Sequence, residues 1–147
     1  MGAKTAEDIE GYEYDWIACD EDGFVGMFST AGGGYAPVAY LAETDLHQEA
    51  VDEVLRRDKV TSADMSPSVA EGLQNPWKEL AERGVFSYDA DYTGEPYRLV
   101  GVPTAPVRLD ELHLLTEKVV MGVVLRGIKF GKSITVTRED IIRSEEK

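Results

Sequence analysis

"YDWIACDEDGFVGMFST", residues 14–30, decides how the rest of the chain is read. Two short apolar runs flank an acidic tetrapeptide, Asp20-Glu21-Asp22-Gly23. Asp-Gly between apolar runs is a strong signal for a tight type I′ turn, so the segment predicts a β-hairpin. Trp16, Ile17 and Ala18 lie on one arm, and Phe24, Val25, Met27 and Phe28 on the other. The same acids invite a calcium loop, which needs alternating oxygen ligands, Gly at position 6 and Glu at position 12. Counting from Asp20 puts Phe24, Val25 and Ala31 at positions 5, 6 and 12. The acids therefore read as part of a solvated turn, and no metal site is expected.

Gly32, Gly33 and Gly34 follow directly. A strand before and a helix after would suit a phosphate cradle. No lysine accompanies them, and Asp20, Glu21 and Asp22 stand nearby in sequence to repel an anion. A strand-to-helix bend is the simpler reading, and these glycines are the candidate ligand loop. Downstream, "RGIKFGKS" (126–133) imitates a nucleotide-binding loop but has three residues between its glycines instead of four. It leads into the β-branched run "ITVT" where that motif requires a helix, so it reads as a turn.

Further outward, "LAETDLHQEAVDEVLRRD" (41–58) has helical spacing, with Leu46, Ala50, Val51, Val54 and Leu55 inward and Thr44 as N-cap. "KVTSADMSPS" (59–68) reads as a loop, with Ser66-Pro67 opening a short helical piece. "NPWKELAERG" (75–84) is a second helix, capped by Asn75, started by Pro76 and closed by Gly84. "VFSYDADY" (85–92) and "YRLVGV" (97–102) are strands joined by a "TGEP" turn. "LDELHLL" (109–115) suggests a helical turn, and "KVVMGVVLRGIKF" with "SITVTREDII" supplies one or two more strands. Residues 1–11 read as a poorly ordered lead. Residues 12–143 form a single α+β domain, a largely antiparallel sheet with two to three helices packed on it.

Of the 147 residues, 28 are acidic and 15 basic, a net charge of −13. Residues 1–95 carry −15 and residues 96–147 carry +2. Nucleic-acid binding needs a basic surface, so that class is not expected. An acidic face suits a basic protein partner. No apolar run approaches the roughly 18 residues of a membrane span, and the opening residues lack a secretory pattern. The single cysteine, Cys19, fits a reducing cytoplasm. Cys19, His47 and His113 show no spacing for zinc or a nucleophile–base pair, so neither a cofactor nor a catalytic group is expected. Tyrosines and Trp16 beside acids form an aromatic–carboxylate surface suited to Lys and Arg. The candidate contact residues are Trp16, Asp20, Glu21, Asp22, Tyr88, Asp89 and Asp91.

The order "DWIACDEDGFVGMFSTAGGG", "PWKELAERGVFSYD" and "YRLVGVPTAPVRLDEL" resembles a group of small, acidic, mostly uncharacterised bacterial proteins, over roughly residues 14–112. These are similar in style to immunity proteins that accompany bacterial toxins. The resemblance implies a cytoplasmic, non-enzymatic protein that neutralises a basic toxin, and it carries no catalytic residues. The alternative is a small-molecule-binding domain or small enzyme with its pocket at Gly32–Gly34.

Overall fold

The computed structural model describes residues 3–66, 76–90 and 96–146. The hairpin expected from residues 14–30 is present: β1 (Asp15–Asp20) and β2 (Val25–Ser29) pair antiparallel, with Trp16 opposite Phe28 and Cys19 opposite Val25. Its turn differs from the two-residue type. Asp20 N–H donates to Phe24 O (3.0 Å), Gly23 N–H donates to Asp20 O (3.1 Å), and Gly23 sits at φ +86°. Glu21, Asp22 and Gly23 thus form a three-residue loop with glycine in the left-handed position.

Helices flank the hairpin on both sides in sequence. Helix α1 (Ala6–Ile9) precedes it, α2 (Val38–Ala42) and α3 (Thr44–Leu55) come after, and α4 (Pro76–Ala81) comes next. Strand β3 (Ala63–Met65) lies between α3 and α4, in the segment expected as loop. It joins the sheet through backbone pairing, which leaves no alternating pattern to read in three residues. The chain then runs through β4 (Phe86–Asp89), β5 (Tyr97–Pro103), α5 (Leu114–Met121), β6 (Val124–Leu125), β7 (Thr135–Val136) and α6 (Arg138–Glu145).

Among the described residues seven strands form one sheet, in the order β3-β5-β4-β2-β1-β6, with β7 also paired to β5. The α+β class holds, but the sheet is mixed: β2–β4 and β1–β6 are parallel, the other pairings antiparallel. Short turns make antiparallel hairpins, and only long crossovers deliver parallel neighbours. The stretch from β2 to β4 is such a crossover, since it carries α2, α3 and α4.

Alternation along the strands buries both faces of the sheet. On one face Trp16, Phe28, Tyr88 and Tyr97 pack with Ile128, Phe130, Val136 and Ile141. On the other, Ile17, Val25 and Met27 lie under Ala50, Val51 and Val54 of α3, Leu80 of α4 and Val120 of α5. A core of this size on two faces explains why the strands read as nearly unbroken apolar runs.

Helix ends follow their chemistry. Gly84 closes α4 as expected: at φ +90° it donates to Ala81 O (3.0 Å), and Val85 N–H reaches back to Leu80 O (3.1 Å). Asn75 and Pro67 lie outside the described residues. Thr44 is not the cap of α3. It is the first helical residue and is buried, and Glu43 occupies the cap position without a side-chain bond. The segment expected as a lead also differs. Thr5 and Asp8 form a reciprocal capping box, Ile9 is buried, and Lys4 N–H donates to Leu41 O (2.8 Å).

Candidate functional site

The sequence's contact candidates separate into three groups. Trp16 and Tyr88 are wholly buried. Trp16 stacks on Phe28 (4.1 Å between ring centres), which stacks in turn on Tyr88 (4.7 Å), a three-ring column across β1, β2 and β4. Trp16 Nε1–H donates to Tyr97 Oη (3.1 Å), and Tyr88 Oη–H donates to Ser133 O (2.6 Å). Their polar atoms are satisfied and their faces covered, so neither serves as a contact anchor. Alternating aromatics here mean cross-strand packing.

Asp20 is likewise withdrawn, only 2% exposed. Its Oδ1 accepts from the N–H groups of Asp22 (3.0 Å) and Phe24 (2.9 Å), and its Oδ2 from Phe130 N–H (2.9 Å). It is a staple that shapes the turn and ties it to the loop between β6 and β7. Glu21 and Asp22 are exposed, with Lys129 Nζ 3.8 Å from a carboxylate oxygen of each. Glu21 Oε1 also accepts from Gly127 N–H (2.9 Å). Asp89 is half-buried at the far end of the β2–β4 pair, opposite Ser29. The acids of the turn and Asp89 therefore do not converge. Asp91 lies outside the described residues.

The glycine bend shows why three small residues follow the hairpin. Gly32 lies at φ +89°, and a Cβ on Gly34 would come within 2.5 Å of Tyr97 Oη. The N–H groups of Gly33 and Gly34 both donate to Thr30 O (3.0 and 2.7 Å). They point into the turn, and the helix that follows has only five residues. A cleft of about 360 Å³ beside Gly32 includes Glu13 and Asp89 in its lining, which disfavours an anionic ligand.

The residue types that could open a catalytic reading occupy structural positions. Burial, with the Asp20 charge second, pushes the Cys19 thiol up to about 11, far from a thiolate at neutral pH. His47 is buried, its Nδ1 accepts from Ile17 N–H (3.1 Å), and its ring meets Tyr40 edge-on. Burial holds its pKa down at about 4. His113 is exposed and accepts from Leu115 N–H (3.4 Å) as the cap of α5.

What sequence reasoning missed is a groove between α3 and α5, about 560 Å³ in volume. Its base includes Ala50, Thr116 and Val119, its α3 rim Glu49, Asp52 and Glu53, and its apolar shoulders Leu46 and Leu115. Leu46, expected inward, is 42% exposed, and Leu115 is 65% exposed. The reason is the phase of α3: Thr44, His47, Ala50, Val51 and Val54 form the buried stripe, so Leu46 rotates to the rim. Counting His47 as an inward residue would have shown that phase.

The groove continues. A hollow of about 200 Å³ shares Leu46, Lys118 and Val119 with it and adds Glu43, Ala39 and Gly122. A third hollow, of about 500 Å³, shares Ala39 and Gly122 and carries exposed Val38 and Met121. Thus four of the eight large exposed hydrophobic residues among those described, Val38, Leu46, Leu115 and Met121, lie along one track. Arg56 forms an ion pair with Glu53 (2.8 Å) at one end of the α3 rim, and Gln48 donates to Asp52 (3.0 Å).

Comparison with family models, curated proteins and solved structures finds no match.

Proposed function

We propose that this chain is a non-enzymatic protein-binding module that engages a basic partner through the acidic side of α3. The observation that carries the reading is the α3–α5 groove, where exposed Leu46 and Leu115 stand beside Glu49, Asp52 and Glu53. Exposed aliphatic groups supply a desolvated contact, and surrounding carboxylates steer and select a cationic partner. Neutralising a basic toxin in a bacterial cytoplasm is the specific case that the sequence resemblance suggests. This moves the contact surface away from Trp16, Asp20 and Tyr88, while Glu21, Asp22 and Asp89 remain as peripheral charge. The small-molecule reading at Gly32–Gly34 has less support, because the N–H groups of Gly33 and Gly34 are already engaged by Thr30.

The test is capture of a basic protein by the immobilised chain, followed by association kinetics across a salt series. Association should slow by roughly tenfold or more between about 0.05 and about 0.5 M salt. It should slow similarly in the Glu49→Lys/Asp52→Lys double variant. A captured partner indifferent to both salt and these substitutions sinks the proposal.

A further inference from the structure

We infer that the element docking in the α3–α5 groove is an amphipathic α-helix with lysines or arginines along one flank, seated with that flank against α3. The inference rests on the protein-binding reading and narrows it. Three features of the groove select this occupant.

The first is the kind of backbone that the walls can receive. Both walls are helices, whose interior N–H and C=O groups are paired within the helix, while Leu115 N–H at the start of α5 is taken by His113. An extended peptide needs a free sheet edge for its own backbone, and this groove presents none. A helix satisfies its backbone internally and offers only side chains. Ridges of such a helix fit the furrow between two others at interaxial distances of about 8–10 Å.

The second feature is spacing. Leu46 and Arg56 are the outermost lining residues on the α3 side, ten residues apart, about 15 Å of helix. That length accommodates two turns of a partner, enough for apolar anchors at i, i+3 or i+4, and i+7. The hollows beyond, with Met121 and Val38 on their margins, allow a longer helix to continue.

The third feature is the unequal charge of the walls. The α3 rim bears Glu49, Asp52 and Glu53, with Arg56 paired to Glu53 at its end, whereas the α5 side bears Lys118 and His113. A matching helix carries cations on one flank only, which fixes how it lies. A second copy of this chain, at net −13, would set like charge against like. An anionic lipid surface is disfavoured for the same reason.

The experiment uses the full chain and a labelled amphipathic peptide of about 18 residues, about 27 Å when helical, with leucines on one face and lysines along one flank. A peptide of the same composition with two central prolines serves as the non-helical control. Fluorescence anisotropy should show binding of the first peptide and not the second. Leu46→Ser/Leu115→Ser and Glu49→Lys/Asp52→Lys should each weaken it by roughly tenfold. Ile134→Ser, an exposed position outside the groove, should leave it unchanged. Leu46 and Leu115 are exposed, so near-ultraviolet circular dichroism should show intact packing in their variants.

Equal binding of the proline peptide, or binding that depends on Glu49 and Asp52 but ignores Leu46 and Leu115, overturns the helix inference while leaving the basic-partner reading standing. Failure of every lysine-rich peptide to bind overturns both. A chain that elutes as a dimer until Leu46 or Leu115 is changed assigns the groove to a second copy and overturns the inference.

Discussion

His47 shows how one side chain can join a helix to a sheet and make stability depend on pH. Its Nδ1 accepts the Ile17 N–H of β1, a role open only to the neutral ring in this orientation. Burial places its folded pKa near 4, against 6.5 for an ordinary imidazole. Below the ordinary value the unfolded chain takes up a proton that the folded chain refuses. Stability is therefore greatest above about pH 6.5 and falls as the pH drops toward about 4, by about 3 kcal/mol across the window. Urea unfolding at intervals between these pH values should show the loss, and His47→Gln, which retains an acceptor for Ile17, should flatten it. An unchanged slope in that variant would assign the pH dependence to the carboxylates.

Elements were legible in this sequence where a local signal and a tertiary contact agree. The hairpin and α4 with its terminal Gly84 were readable because turn or cap chemistry and apolar period point the same way, and the pair β4–β5 from its apolar period, residues 93–95 of the "TGEP" turn lying outside the described residues. The segments expected to supply one or two more strands do hold β6 and β7, but their ends differ: Val119 and Val120 favour a strand by propensity yet belong to α5. There Thr116 and Val120 are buried in the helix, and packing against the sheet outweighs a preference worth a few tenths of a kcal/mol per residue. "REDII" became α6 because Thr137 and Asp140 form a capping box, a signal masked by the β-branched run before it. The parallel pairings had no local signature, and the groove could not be read without the phase of α3. Asp20 belongs to this scale too, for it joins the β1–β2 turn to the β6–β7 loop through Phe130 N–H. Asp20→Ala leaves three backbone donors without their carboxylate, and chemical denaturation should report a loss of about 3 kcal/mol. Glu21→Ala, at an exposed position in the same turn, should cost less than about 1 kcal/mol. Similar losses for the two would mean that Asp20 acts as a surface charge and not as a staple.

Across the whole molecule, net charge and fold stability pull in opposite directions. A chain at −13 repels itself, and α3 carries four carboxylates with no Lys or Arg among its own residues. Asp45, Glu49 and Glu53 succeed one another at intervals of four residues, so Glu49 faces a like charge one turn away on each side. Such pairs destabilise a helix by about 0.2–0.5 kcal/mol each, and opposite pairs stabilise it by similar amounts. Glu49→Lys converts both, so this single substitution should raise stability by about 1 kcal/mol at low salt, with a smaller gain once salt screens the charges. The same change removes an anion from the groove rim and should weaken binding of a basic helix. Thermal melts of the variant and the parent at low and moderate ionic strength, set beside peptide affinities for both, measure the two effects on one pair of proteins. A more stable variant that binds worse is the signature of a surface held in a strained charge state for recognition. A variant that gains stability and binds equally well would mean that the carboxylates of α3 serve solubility, and that the contact with a basic partner lies on another face.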